Sequence, residues 1–264
     1  MIPTLRIREI KLMFGSQNIP NLENEIRWYL EEPHRIPVEE FVARKLKGEP
    51  LAYILGNQDF MGIRFVVSPA VLIPRRETEE MVECIEKEFT GITNSIRFAD
   101  IGSGSGCIGL SLAKRNTNFS GDLIEVSKDA CAVIEKNRKA LALENKTKIH
   151  NKSAEEFFGS IEGKYNMIVA NPPYIDESDP RVDPMTRKYE PHLALFADNK
   201  GLDKILAWQE LAFPSLMPDG KMFMEIGHFQ GQELKDHFAA KHLNIHLYQD
   251  LQGRDRWIKL SRIN

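Results

Sequence analysis

The chain has 264 residues, and 35 Lys and Arg against 38 Asp and Glu leave a net charge of −3. That balance argues against gripping nucleic acid mainly through phosphates, although local basic patches stay open. Cys84, Cys107 and Cys131 are odd in number and lack CxxC spacing, so no disulfide or zinc framework is expected.

Residues 1–48 read as helical and polar. Leu22, Ile26, Tyr29 and Leu30 recur at helical spacing, and Pro37 opens a second helix running to Lys47, ended by Gly48-Glu49-Pro50. Between Gly56 and Ser68 the pattern turns strand-like: Phe60-Met61, a glycine, then Ile63 to Val67, a hairpin. Pro69 and Pro74 punctuate the connection into a helix at 77–89. Strands are then expected at 96–101, 121–126, 147–150, 165–170, 220–226, 243–249 and 256–262, with helices between most of them. Such alternation predicts an α/β fold, a mainly parallel sheet with helices on both faces, closed by an antiparallel hairpin around Gly253. The division expected is a small N-terminal helical unit at 1–53, a hairpin linker at 54–70 and an α/β domain at 71–264. No apolar stretch approaches membrane-spanning length. The start, with Arg6, Arg8, Glu9 and Lys11, lacks a signal-peptide apolar region, so a soluble, cytoplasmic protein is expected.

Two motifs carry chemistry. The first predicted strand of the sheet ends in Asp100 and runs into Gly102-Ser103-Gly104-Ser105-Gly106 before a helix from Ile108. Glycines there let a ligand approach the backbone, and a helix start offers unpaired N–H groups. Glu125 closes the next strand, one βα unit on, where a carboxylate can bind ribose hydroxyls or simply be solvated. The second motif is Asn171-Pro172-Pro173-Tyr174, straight after Met167-Ile168-Val169-Ala170. A polar amide, two rigid prolines and an aromatic face suit the clamping of a planar NH2 group; a proline-stiffened strand exit is the plainer alternative. Because ligands collect at the carboxyl ends of parallel strands, Asp100, the glycines, Glu125 and Asn171 should share one crevice. A dinucleotide reductase would use the glycine turn but not Asn-Pro-Pro-Tyr.

Together the two motifs resemble class I methyltransferases that modify amide or exocyclic amine nitrogens. The resemblance narrows with Glu49 to Gly56, Val71 to Glu79, Glu190 to Phe196, Met224-Glu225-Ile226-Gly227 and Gly253-Arg254-Asp255-Arg256. Over roughly residues 49–262 the chain is similar to the peptide chain release factor N5-glutamine methyltransferases. That similarity implies a Rossmann-like, seven-stranded methyltransferase domain at 71–264 using S-adenosyl-L-methionine and releasing S-adenosylhomocysteine. It implies as acceptor the glutamine amide of the Gly-Gly-Gln loop of release factors, hence a role in translation termination, with no membrane and no nucleic-acid substrate. Three departures stand out: a short N-terminal segment, Glu125 where the family has Asp, and Arg76 where proline is common.

The implied site assigns Asn171 Oδ1 and the Pro172 carbonyl to the two amide N–H groups, with Pro173 stiffening the exit and Tyr174 walling the acceptor pocket. Cofactor contacts fall to Asp100, Gly102, Ser103, Gly104, Ser105, Gly106, Glu125 and Asn171. Glu155, Glu156 and Phe157 are candidates for the adenine, or an exposed helix start with a core Phe. Phe60 reads as core or as a cover for the site. Arg75 and Arg76 read as solvated or facing the substrate protein. Arg254 and Arg256 are expected to cluster with Asp255, and His192 and His228 lack metal-like spacing. The 176–188 loop is long enough for a lid or docking surface. Remaining alternatives are a ribosomal-protein glutamine methyltransferase, an adenine-N6 nucleic-acid methyltransferase and a non-catalytic binding module.

Overall fold

The computed structural model describes residues 4–159 and 163–263; residues 1–3, which head the expected N-terminal unit, and 160–162 and 264 lie outside the described residues. Four helices come first: α1 (Thr4–Met13), α2 (Leu22–Glu31), α3 (Val38–Leu46) and α4 (Leu51–Leu55). Leu22, Ile26 and Tyr29 turn to one side of α2 and are buried with Ile10, Phe14 and Phe41 in a core of their own. The Tyr29 ring stacks on Phe41 at 4.2 Å, while its hydroxyl donates to the Ile36 carbonyl at 2.7 Å. Stacking and a satisfied phenol together let one residue serve as the packing centre of this small core. Helix α4 was not foreseen. Pro50 stands immediately before it, and five residues are too few to display a helical period.

The hairpin forms as expected, from β1 (Asn57–Phe60) and β2 (Ile63–Val66). Asn137 docks it: its amide donates to the Ser105 and Val66 carbonyls at 2.8 and 3.0 Å and accepts the Val66 N–H at 2.7 Å. One buried side chain thus ties the hairpin to the glycine turn.

The remainder alternates as predicted. It comprises α5 (Arg76–Glu88), β3 (Ile96–Ile101), α6 (Cys107–Arg115), β4 (Phe119–Glu125), α7 (Lys128–Ala140), β5 (Thr147–Asn151), α8 (Ala154–Phe158) and β6 (Tyr165–Ala170). Short helical pieces follow, α9 (Pro184–Tyr189), α10 (His192–Leu195) and the single turn α11 (Asp198–Gly201), before α12 (Asp203–Ala212), β7 (Leu216–Glu225), α13 (Gly231–Ala240), β8 (Leu243–Gln249) and β9 (Asp255–Arg262). The seven-stranded sheet has the order β5-β4-β3-β6-β7-β9-β8, and only its last pairings, β7 with β9 and β9 with β8, are antiparallel. Two hydrophobic layers cover it. One centres on Tyr165, Ile168, Ile205, Met222 and Phe238, the other on Phe60, Met81, Phe98, Leu110 and Phe223. Burying side chains of this size contributes about 1.5–3 kcal/mol each.

Two expectations need correction. Strand β7 starts at Leu216 rather than 220: Leu216 sits opposite Tyr165, the register then shifts, and Lys221 faces Met167. The exposed Pro218-Asp219 inside that irregularity hides the strand from an apolar pattern. Arg256 pairs with buried Asp250 at 3.1 Å, not with Asp255, whose carboxylate accepts from Gln249. Asp250 also accepts the Arg254 N–H, so it, and not Asp255, organises the β8–β9 turn.

Register sets up the site. Ile101 lies beside Ile124 and Ala170, and Ala170 lies beside Met224. One residue further along each strand, Gly102, Glu125, Asn171 and Glu225 therefore emerge together at the carboxyl edge, where parallel sheets hold ligands.

Candidate active site

A cavity of about 400 Å³ opens at that edge, lined by Gly102, Ser103, Gly104 and Ser105, by Glu125 and Ser127, and by Thr78 and Asn171. Glu125 is braced rather than loose. Its Oε2 accepts the Gly104 N–H at 2.9 Å and its Oε1 the Ser127 N–H at 2.8 Å. A carboxylate has about four acceptor positions, so two stay open to hydroxyls of a ligand. Ser105 contributes to the wall, but its Oγ is itself buried, beside the Cys107 thiol, and is not exposed to the cavity. Gly102, at φ +67°, has no room for a side chain: a Cβ there would come within 2.6 Å of the Trp208 ring. Trp208, from α12, is thus folded over the turn.

Asp100 and Gly106 stand behind this surface and do not line the cavity. Asp100 is fully buried; its Oδ2 accepts the Gly109 N–H at 3.0 Å, holding α6 against β3, and its Oδ1 has no partner. Burial pushes its pKa up to about 7 from the ordinary 3.8, against the Gly109 hydrogen bond and helped by the Glu125 charge. A raised carboxylate pKa means that the folded chain binds the proton more tightly than the unfolded one. The resulting stability is fully present below about pH 4 and is lost as pH rises through 7. Relative to wild type, Asp100→Asn should therefore gain thermal stability progressively between pH 5 and pH 8. A difference in melting temperature that stays flat across that range would refute the assignment.

Asn171 lines the cavity, and its Nδ2 lies 3.4 Å from Thr78 Oγ1. Pro172 and Pro173 are buried behind it. Tyr174 lies elsewhere than expected. It lines a second depression of about 690 Å³ with Pro180, Phe229 and Gln230, and its hydroxyl donates to Glu225 at 2.9 Å. Burial, and the Glu225 charge next, raise the phenol pKa well above 10. Of the three adenine candidates, only Glu155 lines the cavity. Glu156 completes a capping box with Ser153, and Phe157 packs in the core with its ring 4.6 Å from His150. Phe60 is likewise core, at 1% exposure.

Arg75 lines the cavity, ion-paired to buried Glu190, which also accepts the Ile73 N–H at 3.1 Å; Arg76 opens α5 and is not on the lining. The 176–188 segment is organised by its own aspartates: Asp179 grips Arg181, and Asp183 caps α9 through the Met185 and Thr186 N–H groups. His192 Nε2 pairs with the Arg187 carbonyl, and the His228 ring lies tilted against Phe229, centroids 3.7 Å apart.

The family model for the methyltransferase small domain matches residues 76–188. A release factor glutamine methyltransferase of Lactococcus lactis subsp. lactis is 35% identical, over 95% of this chain and 93% of that one. The chain belongs to the release factor glutamine methyltransferase family. Another member, from Leptospira interrogans, is 34% identical over 99% of this chain and 92% of its own. A bifunctional methyltransferase of Rickettsia typhi is 31% identical over the full chain, which spans 54% of that longer protein.

Solved structures share the fold at low identity. The ribosomal protein L11 methylase from Lactobacillus delbrueckii subsp. bulgaricus superposes with a TM-score of 0.53, 18% identity, and 75% of this chain against 84% of that one. The N-terminal domain of human METTL16 in complex with SAH gives 0.55, 14% identity and 76% of each chain.

Among the wall residues that sequence reading of this release factor glutamine methyltransferase family member missed are Trp208, Val126 and Thr78. Trp208 comes from a helix far down the chain, and an aromatic in Asp203–Ala212 carries no motif. Val126, half-exposed on the cavity directly after Glu125, could have been found as the apolar neighbour of the strand-end carboxylate. Thr78 lies inside the Val71 to Glu79 motif, but nothing in that motif assigns it a role, since its part depends on β7.

Proposed function

We propose that this enzyme methylates the side-chain amide nitrogen of a glutamine in peptide chain release factors, the one in their Gly-Gly-Gln loop. The observation that carries this reading is the placement of Asn171 and the braced Glu125 on one cavity wall. S-adenosylmethionine, when bound, supplies an electrophilic sulfonium methyl group. The residues present fit it: Glu125 retains free acceptor positions for ribose hydroxyls, and Trp208 and Val126 give apolar walls.

An amide nitrogen is a poor nucleophile, so most of the work is positioning, which can contribute on the order of 7–11 kcal/mol. Asn171 Oδ1 and the Pro172 carbonyl accept the two N–H groups of the glutamine amide and hold the nitrogen in line. Both contacts strengthen as positive charge grows on nitrogen. The buried prolines fix φ, so the carbonyl is aimed before the acceptor arrives. No side chain is assigned as a base; the proton leaves once the nitrogen is cationic. Residues 1–53 and 54–70 are read as a helical unit and a hairpin linker attached to the catalytic domain at 71–264. The enzyme works on its protein substrate in the cytoplasm, without a nucleic-acid substrate. No helix among the described residues is long and apolar enough to cross a membrane.

The test is mass spectrometry of a cognate release factor after incubation with enzyme and S-adenosylmethionine. One added methyl on the Gly-Gly-Gln peptide supports the reading; transfer to a ribosomal protein or an oligonucleotide instead overturns it. Glu125→Ala should weaken S-adenosylmethionine binding about 10–100-fold by calorimetry, the worth of charge-assisted hydrogen bonds. An unchanged Kd would remove Glu125 from that role.

A further inference from the structure

An amide clamp works only if its oxygen, not its NH2, faces the acceptor. Nothing within Asn-Pro-Pro-Tyr decides this, since the two ends of an Asn amide have the same shape. The decision lies deeper. Glu225 closes β7 at 1% exposure, with both carboxylate oxygens engaged. Oε2 receives the Thr78 hydroxyl at 2.6 Å and Oε1 the Tyr174 hydroxyl at 2.9 Å. An ionised carboxylate only accepts. The single hydroxyl hydrogen of Thr78 is therefore committed to Glu225, and Thr78 Oγ1 can offer Asn171 nothing but a lone pair. A lone pair selects the NH2 end, and Asn171 Nδ2 is the atom found 3.4 Å away. Oδ1 is left as the free end.

We infer that Thr78 and Glu225 are positioning residues that orient the Asn171 amide for the acceptor, with the same carboxylate anchoring the far end of the motif through Tyr174. The inference rests on the acceptor role given to Asn171 above. Burial raises the Glu225 pKa above its ordinary value, against the Thr78 and Tyr174 hydroxyls and then the Arg256 charge; the ionised form, which those three groups favour, is the one the inference takes. Thr78 sits in α5 and Glu225 at the end of β7, so the orientation is dictated across the sheet and not by the motif itself.

The experiment compares Thr78→Val, which keeps shape and loses the hydroxyl, with Thr78→Ser, which restores it. Thr78→Val should lower kcat about 10²-fold, the cost of a misplaced reacting group, with KM for S-adenosylmethionine little changed. Thr78→Ser should recover most of the turnover. Glu225→Gln, of equal volume, is the second variant and should show the same loss in kcat, because its amide must present NH2 to one of the two hydroxyls. The side-chain NH2 resonances of Asn171 in 15N-labelled protein give a readout independent of turnover: they should move in Thr78→Val and return in Thr78→Ser. Resonances that stay in place in the folded Thr78→Val variant, or wild-type kcat in both Thr78→Val and Glu225→Gln, overturn the inference. A wild type that transfers no methyl to any release factor strikes the functional reading instead, and the Asn171 resonances still decide this one.

Discussion

Asn171→Ala should reduce the turnover of release-factor methylation about 10²–10³-fold, the usual cost of deleting one pre-aimed polar group at a reacting centre. Affinity for S-adenosylmethionine should stay close to wild type. The split follows from the roles proposed: the glycine turn, Glu125 and Trp208 are assigned to the donor, and Asn171 stands at the strand exit beside Thr78. On the proposed reading, removing the amide leaves only the Pro172 carbonyl for two N–H groups, so the nitrogen would be held by one bond and swing. Single-turnover kinetics with saturating cofactor, alongside calorimetric binding, measure both halves. A variant that lost affinity and kept kcat would place Asn171 in donor binding and not at the acceptor.

The second large effect is structural. Gly201→Ala should lower stability by about 2–4 kcal/mol, combining overpacking with a left-handed backbone that alanine resists. That corresponds to roughly 5–15 °C in Tm for a chain of this size. Gly201 sits at φ +81°, ending a turn in which Asn199 and Lys200 are also left-handed, and a Cβ there would fall 1.9 Å from the Tyr174 carbonyl oxygen. The obstacle is backbone, which cannot swing aside. Gln230 holds the same carbonyl: its Nε2 donates to Tyr174 O and Lys200 O at 3.0 Å each, and its Oε1 accepts the Gly227 N–H at 2.8 Å. Displacing Tyr174 would therefore also disturb Asn-Pro-Pro-Tyr, so kcat should fall along with Tm. Calorimetry showing an unchanged melting temperature would mean that the close approach at Gly201 is not maintained in solution.

The residues that line the cavity separate into two groups by how they could be read. Gly102 to Ser105 and Glu125 announce themselves, because a glycine turn between strand and helix and a carboxylate at the next strand end are local patterns tied to backbone geometry. Asn171 is legible for the same reason. Phe157 and Tyr174 show the opposite case. Each follows a strand end, as a ligand contact would, yet one is turned into the core beside His150 and the other onto Glu225. Local spacing gives the position of a Cα at a strand end but not the direction that packing imposes on a large ring. Asp100, similarly, was readable as an acidic strand end, while its withdrawal behind the turn to hold the Gly109 N–H depends on how closely α6 lies against β3.

Sequence alone determined the alternation of strands and helices, the glycine turn, the strand-end Glu125 and the Asn-Pro-Pro-Tyr exit, since all are set by short-range periodicity and backbone constraints. Tertiary structure decided which of these face the cavity, brought in Trp208, replaced Asp255 by Asp250 as the partner of Arg256, and joined Thr78, Asn171, Tyr174 and Glu225 in one hydrogen-bonded set. The physical reason is strand register. Residues far apart in the chain become neighbours only when β3, β6 and β7 align, and no local pattern records that alignment.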